Sequence, residues 1–353
     1  MNDPTMMQFS TAESYTNDQV LPDTVIWIYV GVIVLLGFLL NLIMVGILFR
    51  SKCNGASIFV IQMIVTDLAS LGVAIIELLY MNNRKWIFSP TLCPIYLGLE
   101  SVTTTASVYF IIAINLHAIS TYNLALKTKN NKQKPLMHQH RSSDFQRLNN
   151  DSYESALCTQ ERSLTIDYSK KKDRIAVLCP ILFVWILSVS VSIPLFTFSA
   201  LFPNKGASIC GMKNFNRGTN ILLQLFVLFI RIIIPSVCLV VTVIYVGHRY
   251  LFSKIQSVCR LGRDVNGALK LGLILSITYF IFCTQRVYGS LMFELINRPF
   301  MQYKYPVFDQ VIAIAFSMVN YAVPAFRPFA YLYADKSLRA TLRCRKNSVN
   351  PES

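Results

Sequence analysis

Charge is scarce in this sequence. Of its 353 residues only 14% are charged, where a soluble protein carries about 25%. Acids are scarcer still, with 18 Asp+Glu against 33 Lys+Arg and a net charge of +15. Histidine occurs four times, as His117, His138, His140 and His248, and no two of these form a metal-binding pair on a helix. There is no His-Glu-x-x-His stretch, no phosphate-binding glycine loop and no nucleophile elbow. A soluble enzyme is excluded, catalysis is not expected, and neither a metal nor another cofactor is expected. The basic excess would suit nucleic acid only on a soluble scaffold. Here Lys and Arg fall between apolar runs, as in the cytoplasmic loops of membrane proteins, so no nucleic-acid partner is expected.

What the chain does have is apolar length: 54% of its residues are hydrophobic. A transmembrane helix needs about 20 mostly apolar residues. Thr24–Phe49 and Ile175–Asn204 meet this with no charge at all. Five more runs meet it with one to three charges each, at about 57–81, 94–122, 218–247, 268–292 and 308–333. None alternates apolar and polar residues as barrel strands do. The expected fold is all-α, a bundle of seven transmembrane helices with membrane lipid as a partner.

No Lys or Arg precedes Arg50, which directly follows the first run with Lys52 close behind. The positive-inside rule then places the amino terminus outside. The tail lacks the basic start of a cleaved signal peptide, so the first span is read as the anchor. The expected organisation is an exterior tail 1–23, a membrane domain 24–333 and a cytoplasmic end 334–353. Arg84, Lys85, Lys205 and Lys213 are exceptions, positive charges placed outside. The second cytoplasmic loop, about 121–173, is too long for a simple connection and too polar to fold alone, so it is read as mostly disordered. It is either a solvated spacer or a segment for phosphate and anionic lipid.

Of nine cysteines, only Cys93 and Cys210 fall outside, and an oxidising exterior makes them a disulfide pair. Cys344 lies in the cytoplasmic end, where palmitoylation and a free thiol are both open readings.

Against this background the motifs resemble those of rhodopsin-like G-protein-coupled receptors. Asn41 followed by Met44-Val45 is similar to the span-one pattern, with Leu40 in place of its glycine. Val65-Thr66-Asp67-Leu68 resembles the span-two run that ends in a membrane aspartate. Trp86-Ile87-Phe88 precedes Cys93 at the family's spacing, and Trp185, Pro194 and Pro235 fall where spans four and five carry theirs. Tyr331 follows Pro328 as in Asn-Pro-x-x-Tyr, and Leu338-Arg339 fits a short amphipathic eighth helix. The resemblance covers about residues 24–345 and implies a cell-surface receptor for an amine or peptide, with a heterotrimeric G protein or arrestin as cytoplasmic partner.

The departures cluster in the switch. His117-Ala118-Ile119 stands where the family has Asp-Arg-Tyr, and Asn266 is neutral near the usual acidic lock. Cys283-Thr284-Gln285-Arg286 replaces Cys-Trp-x-Pro, Arg327 precedes Pro328 in place of asparagine, and Val243 takes the place of a span-five tyrosine, with Tyr245 close by. Two rival readings follow: a receptor-like protein that couples weakly to G protein, and a transporter or channel built on its buried charges.

Three acids, Asp67, Glu77 and Glu100, and three bases, Arg231, Arg286 and Arg327, fall inside the spans. A charge at helix centre costs about 2.5–3.5 kcal/mol on insertion scales, so each needs a partner or a purpose. Glu100, Ser107 and Ala118 share one face of span three at 100° per residue. Glu100 and Glu77 are candidates for a pocket that takes an amine or a basic peptide side chain, with Gln285 and Tyr321 as polar neighbours. The competing reading pairs Glu100 with Arg231, whose carbonyl Pro235 should leave without its helix bond. The resemblance also implies a sodium site at Asp67, Ser107 and the residue at 327, which here is an arginine expected to bind Asp67 itself.

Overall fold

The computed structural model describes residues 19–50, 55–139, 171–204, 207–212, 226, 229–252, 260–284, 306–334 and 339. It is an all-α bundle. Helices α1 (Asp23–Arg50), α2 (Gly55–Asn83), α3 (Leu92–Gln139), α4 (Lys171–Phe198) and α5 (Phe229–Leu251) are followed by α6 and α7. Helix α6 runs over Arg260–Thr278 and continues as a π-helical turn at Tyr279–Cys283, and α7 covers Pro306–Ala334. All seven are long and apolar enough to cross a membrane, and the chain is a multi-pass membrane protein.

Helix α3 packs against α2, α4, α5 and α6, while α7 closes the ring against α1, α2 and α6. The central position explains why α3 has few exposed apolar residues, whereas α4 and α5 present Ile186 and Ile244 at 65% and 66% exposure. Such residues would be a liability in water and are in their proper solvent in lipid. Lipid also removes the hydrophobic drive between helices, so packing and hydrogen bonds must join them. Trp185 Nε1 on α4 donates to Gln62 Oε1 on α2 at 2.9 Å, and Ser192 Oγ on α4 donates to Ser101 Oγ on α3 at 2.8 Å.

Prolines generate further ties. Pro328 has no N–H, so the Pro324 carbonyl in α7 loses its intrahelical donor. Asn41 Nδ2 on α1 donates to that carbonyl at 2.9 Å. In α5 the turn Phe229–Ile233 before Pro235 is π-helical. With i+5 pairing, the carbonyl stripped by Pro235 is that of Ile230 and not that of Arg231, as the α-helical expectation had it. The Tyr109 hydroxyl on α3 donates to the Ile230 carbonyl at 2.9 Å.

Two boundaries differ from the sequence reading. The fourth span was expected to reach Asn204, but the helix ends at Phe198 and Ser199–Asn204 is a strand, β1. It pairs antiparallel with β2 (Ala207–Met212), Leu201 opposite Cys210. An isolated two-stranded hairpin is marginal in water, and this one is fastened: Cys210 is disulfide-bonded to Cys93 at the start of α3, with a Cα–Cα distance of 5.6 Å. Trp86 N–H also donates to the Ser208 carbonyl at 2.7 Å. The expected Cys93–Cys210 bond is present. The second difference is α3, which continues as helix to Gln139, well into the segment read as disordered from 121 onward. Residues 140–170, the amino-terminal residues 1–18, Cys344 and Leu338 of the expected eighth helix lie outside the described residues.

Candidate functional site

Among the described residues, the expected interior charges resolve into three sets. At mid-bundle Arg327 on α7 pairs with Asp67 on α2, and their side chains are 5% and 1% exposed. Arg327 Nη1 donates to Asp67 Oδ1, and Nη2 donates to Ser107 Oγ on α3 at 2.9 Å. The fork of one guanidinium thus joins three helices, with the Tyr331 side chain fully buried one turn along α7. Each partner keeps one enclosed polar atom without a bond among the described residues: Asp67 Oδ2, Arg327 Nε and Tyr331 Oη. The place where the resemblance implied sodium is filled by a side-chain cation.

Ten residues along α2 from Asp67, about 15 Å toward the disulfide end, Glu77 accepts from Tyr321 Oη at 2.5 Å and from Ser317 Oγ at 3.0 Å. Glu77 is buried, and so are both α7 partners. Glu100 on α3 faces α5 instead, with Arg231 Nη2 at 3.4 Å from Oε2. Arg231 Nη2 also donates to Thr104 Oγ1 at 2.7 Å. The two glutamates therefore engage different helices, α7 for Glu77 and α5 for Glu100. Gln285 and Arg286, expected beside them, lie outside the described residues.

At the opposite end Ala118 is fully buried, packed with Tyr122 on α3, Val246 on α5, and Val265 and Leu269 on α6. A methyl group here permits close apolar contact of three helices that an arginine would hold apart. His117 lies against the Phe59 ring of α2, with centroids 5.6 Å apart, and Ile119 packs at the edge of the Ala118 cluster.

The sequence reading missed a neutral polar seam just inside this cluster. Asn115 Nδ2 on α3 contacts Ser276 Oγ on α6 at 2.9 Å and Thr242 Oγ1 on α5 at 3.3 Å. Gly272, one turn before Ser276, makes room for it: a Cβ there would stand 2.2 Å from Asn115 Oδ1. Arg249 on α5 also lies over the rings of Tyr122 and Tyr245, at 5.3 and 4.9 Å, and donates to Tyr245 Oη at 2.9 Å. A Gly-x-x-x-Ser step on one span facing an asparagine on another was the available signal. It is faint, because small and hydroxyl residues are ordinary in membrane helices.

A cavity of about 200 Å³ opens at the disulfide end, lined by Tyr80, Met81, Arg84, Ile209, Gln310 and neighbouring α7 residues. Compared with known proteins, the chain matches no family model and no curated protein.

Proposed function

We propose that this chain is a cell-surface receptor of the rhodopsin-like class, plasma-membrane embedded with its amino terminus outside. A ligand, an amine or a peptide, binds at the disulfide end and biases the bundle between two packings. A heterotrimeric G protein or arrestin reads the opposite end. The observation that carries this reading is the Asp67–Ser107–Arg327 node, which ties α2, α3 and α7 at the positions where the resemblance places the family's central switch. A cationic ligand that takes the place of Arg231 at Glu100 removes one of the two Arg231 contacts between α5 and α3 and leaves the one to Thr104.

A second reading, a receptor-like protein that couples weakly, is favoured by the buried Ala118, which has no guanidinium to offer a G protein. Nucleotide exchange on a supplied G protein tests both. Exchange that rises only after Ala118→Arg supports weak coupling, and robust exchange by the unmodified protein supports ordinary coupling. A ligand-independent ion flux in proteoliposomes with no exchange in either form would replace both by a transporter or channel.

A further inference from the structure

The acids and bases of the disulfide end are not evenly engaged. Asp23 accepts from Gln19 Nε2 at 2.7 Å and from Asn82 Nδ2 at 3.2 Å. Glu77 is held by Tyr321 and Ser317, and Glu100 by Arg231. Arg84 is different. Its Nε is buried, yet among the described residues it has no acceptor.

Arg84 follows the end of α2 with a φ of 53°, the left-handed region that a side-chain-bearing residue rarely adopts. That turn sets the residue on the wall of the cavity between α2, β2 and α7. Gln310 on α7 lines the same cavity, and its buried amide oxygen has no partner among the described residues. The residues that carry one unanswered donor and one unanswered acceptor, both atoms enclosed, thus line a single space. The remaining walls are apolar, from Met81, Ile209, Ala313 and Ile314. The roof is fixed: Ile209 adjoins the disulfide-bonded Cys210, whose carbonyl accepts from Tyr80 Oη at 3.3 Å.

We infer that this cavity binds an organic carboxylate carried on a small apolar body, of the kind a peptide presents at its free C-terminal residue. The carboxylate meets the Arg84 guanidinium, whose planar fork suits two parallel N–H···O bonds. A turn of the Gln310 side chain brings its enclosed Oε1 to accept from the adjacent amide N–H, and the side chain of the bound residue fills the apolar remainder. Size agrees with one residue and not with a whole ligand. The cavity of about 200 Å³ falls below the roughly 300–1,000 Å³ of sites that enclose drug-sized molecules. The inference rests on the outward orientation of this end in the receptor reading. It inverts the charge expected from the glutamates: among the described residues, what this end leaves unmatched is positive.

The test uses the purified full-length protein in phosphatidylcholine nanodiscs, with N-acetyl-L-leucine as probe and N-acetyl-L-leucinamide as its uncharged counterpart. Ligand-observed NMR titration should show saturable binding of the acid and none of the amide. Arg84→Gln should weaken binding about 10- to 100-fold, the range for losing a charge-assisted bond. Gln310→Leu should weaken it less, and Arg84→Lys should restore part of it by keeping the charge without the fork. Equal binding of acid and amide would overturn the inference, as would binding indifferent to Arg84→Gln or no binding at millimolar probe. Displacement of the probe by phosphatidylglycerol in the nanodisc would assign the cavity to a lipid headgroup and also overturn it. If Arg84→Gln does not fold, the acid–amide comparison on the unmodified protein decides. These are binding readouts, so a negative result leaves the exchange assay for the receptor reading untouched, and a failed exchange assay leaves probe binding intact.

Discussion

Among the described residues two arginine–carboxylate pairs join helices in this bundle, and they are enclosed to different degrees. The side chains of Arg327 and Asp67 are 5% and 1% exposed, and those of Arg231 and Glu100 are 21% and 17% exposed. For the inner pair both charges have been taken out of water, so each depends on the other for nearly all of its solvation. The outer pair is less enclosed, and either side chain has more freedom to find another partner when the other departs. The same two functional groups make a fixed joint in one place and an exchangeable contact in the other. Exposure, more than distance, decides which.

The largest expected effect comes from breaking the inner joint. Arg327→Ala strands Asp67 and should cost about 3–5 kcal/mol, the usual result of leaving one charge of a buried pair alone. Chemical unfolding in nanodiscs would measure it. Asp67→Asn combined with Arg327→Asn removes both charges and should recover much of the loss. If the double variant is no better than the single one, the pair is not the source of the effect.

Next in size is the seam near the opposite end. Gly272→Ala places a methyl group against Asn115 Oδ1 and should destabilise by about 1–3 kcal/mol through overpacking. Asn115→Ala in the same chain should relieve part of that strain, because it deletes the group being struck. Equal stability of Gly272→Ala and the unmodified protein would show that α6 and α3 separate more easily than the packing implies.

The outer pair should matter less. Glu100→Gln, which keeps the shape and a hydrogen-bond acceptor for the less enclosed Arg231, is expected to change stability by no more than about 1 kcal/mol. If a cationic ligand takes the place of Arg231, its affinity should nevertheless fall at least about 30-fold in the same variant, readable by radioligand displacement. The smallest effect is a zero. Because Arg327 fills the cation's place beside Asp67 and Ser107, melting temperature should not rise with sodium relative to potassium. A sodium-specific rise in the unmodified protein would contradict the inner pairing.

The two pairs also show what the sequence makes legible. Asp67, Arg327, Glu100 and Arg231 stand out because a charge inside an apolar run is costly and rare, and the bilayer leaves it few partners. The apolar runs declare the seven helices for the same reason. Asn115, Thr242 and Ser276 stayed hidden because uncharged polar residues are tolerated in membrane helices, so their presence calls for no partner. Ser199–Asn204 was mistaken for helix because Ala200-Leu201-Phe202 continues the apolar composition, and composition does not record where a disulfide turns the chain into a hairpin. The reach of α3 past its span escaped notice because its polar residues carry no apolar face to mark a helix.

That reach has a mechanical consequence. Helix α3 is 48 residues long, about 72 Å at 1.5 Å per residue, against a hydrocarbon layer of about 30 Å. The stretch 125–139 past its apolar span, which ends at Leu124, adds about 22 Å of helical rod, with Pro135 removing one backbone bond near its end. A tilt of about 10° where the rod leaves the bilayer swings Gln139 sideways by about 4 Å. The helix that holds Glu100 near its start and Ala118 near its middle is thus also a lever, with its fulcrum in the bundle and its shorter arm beyond it.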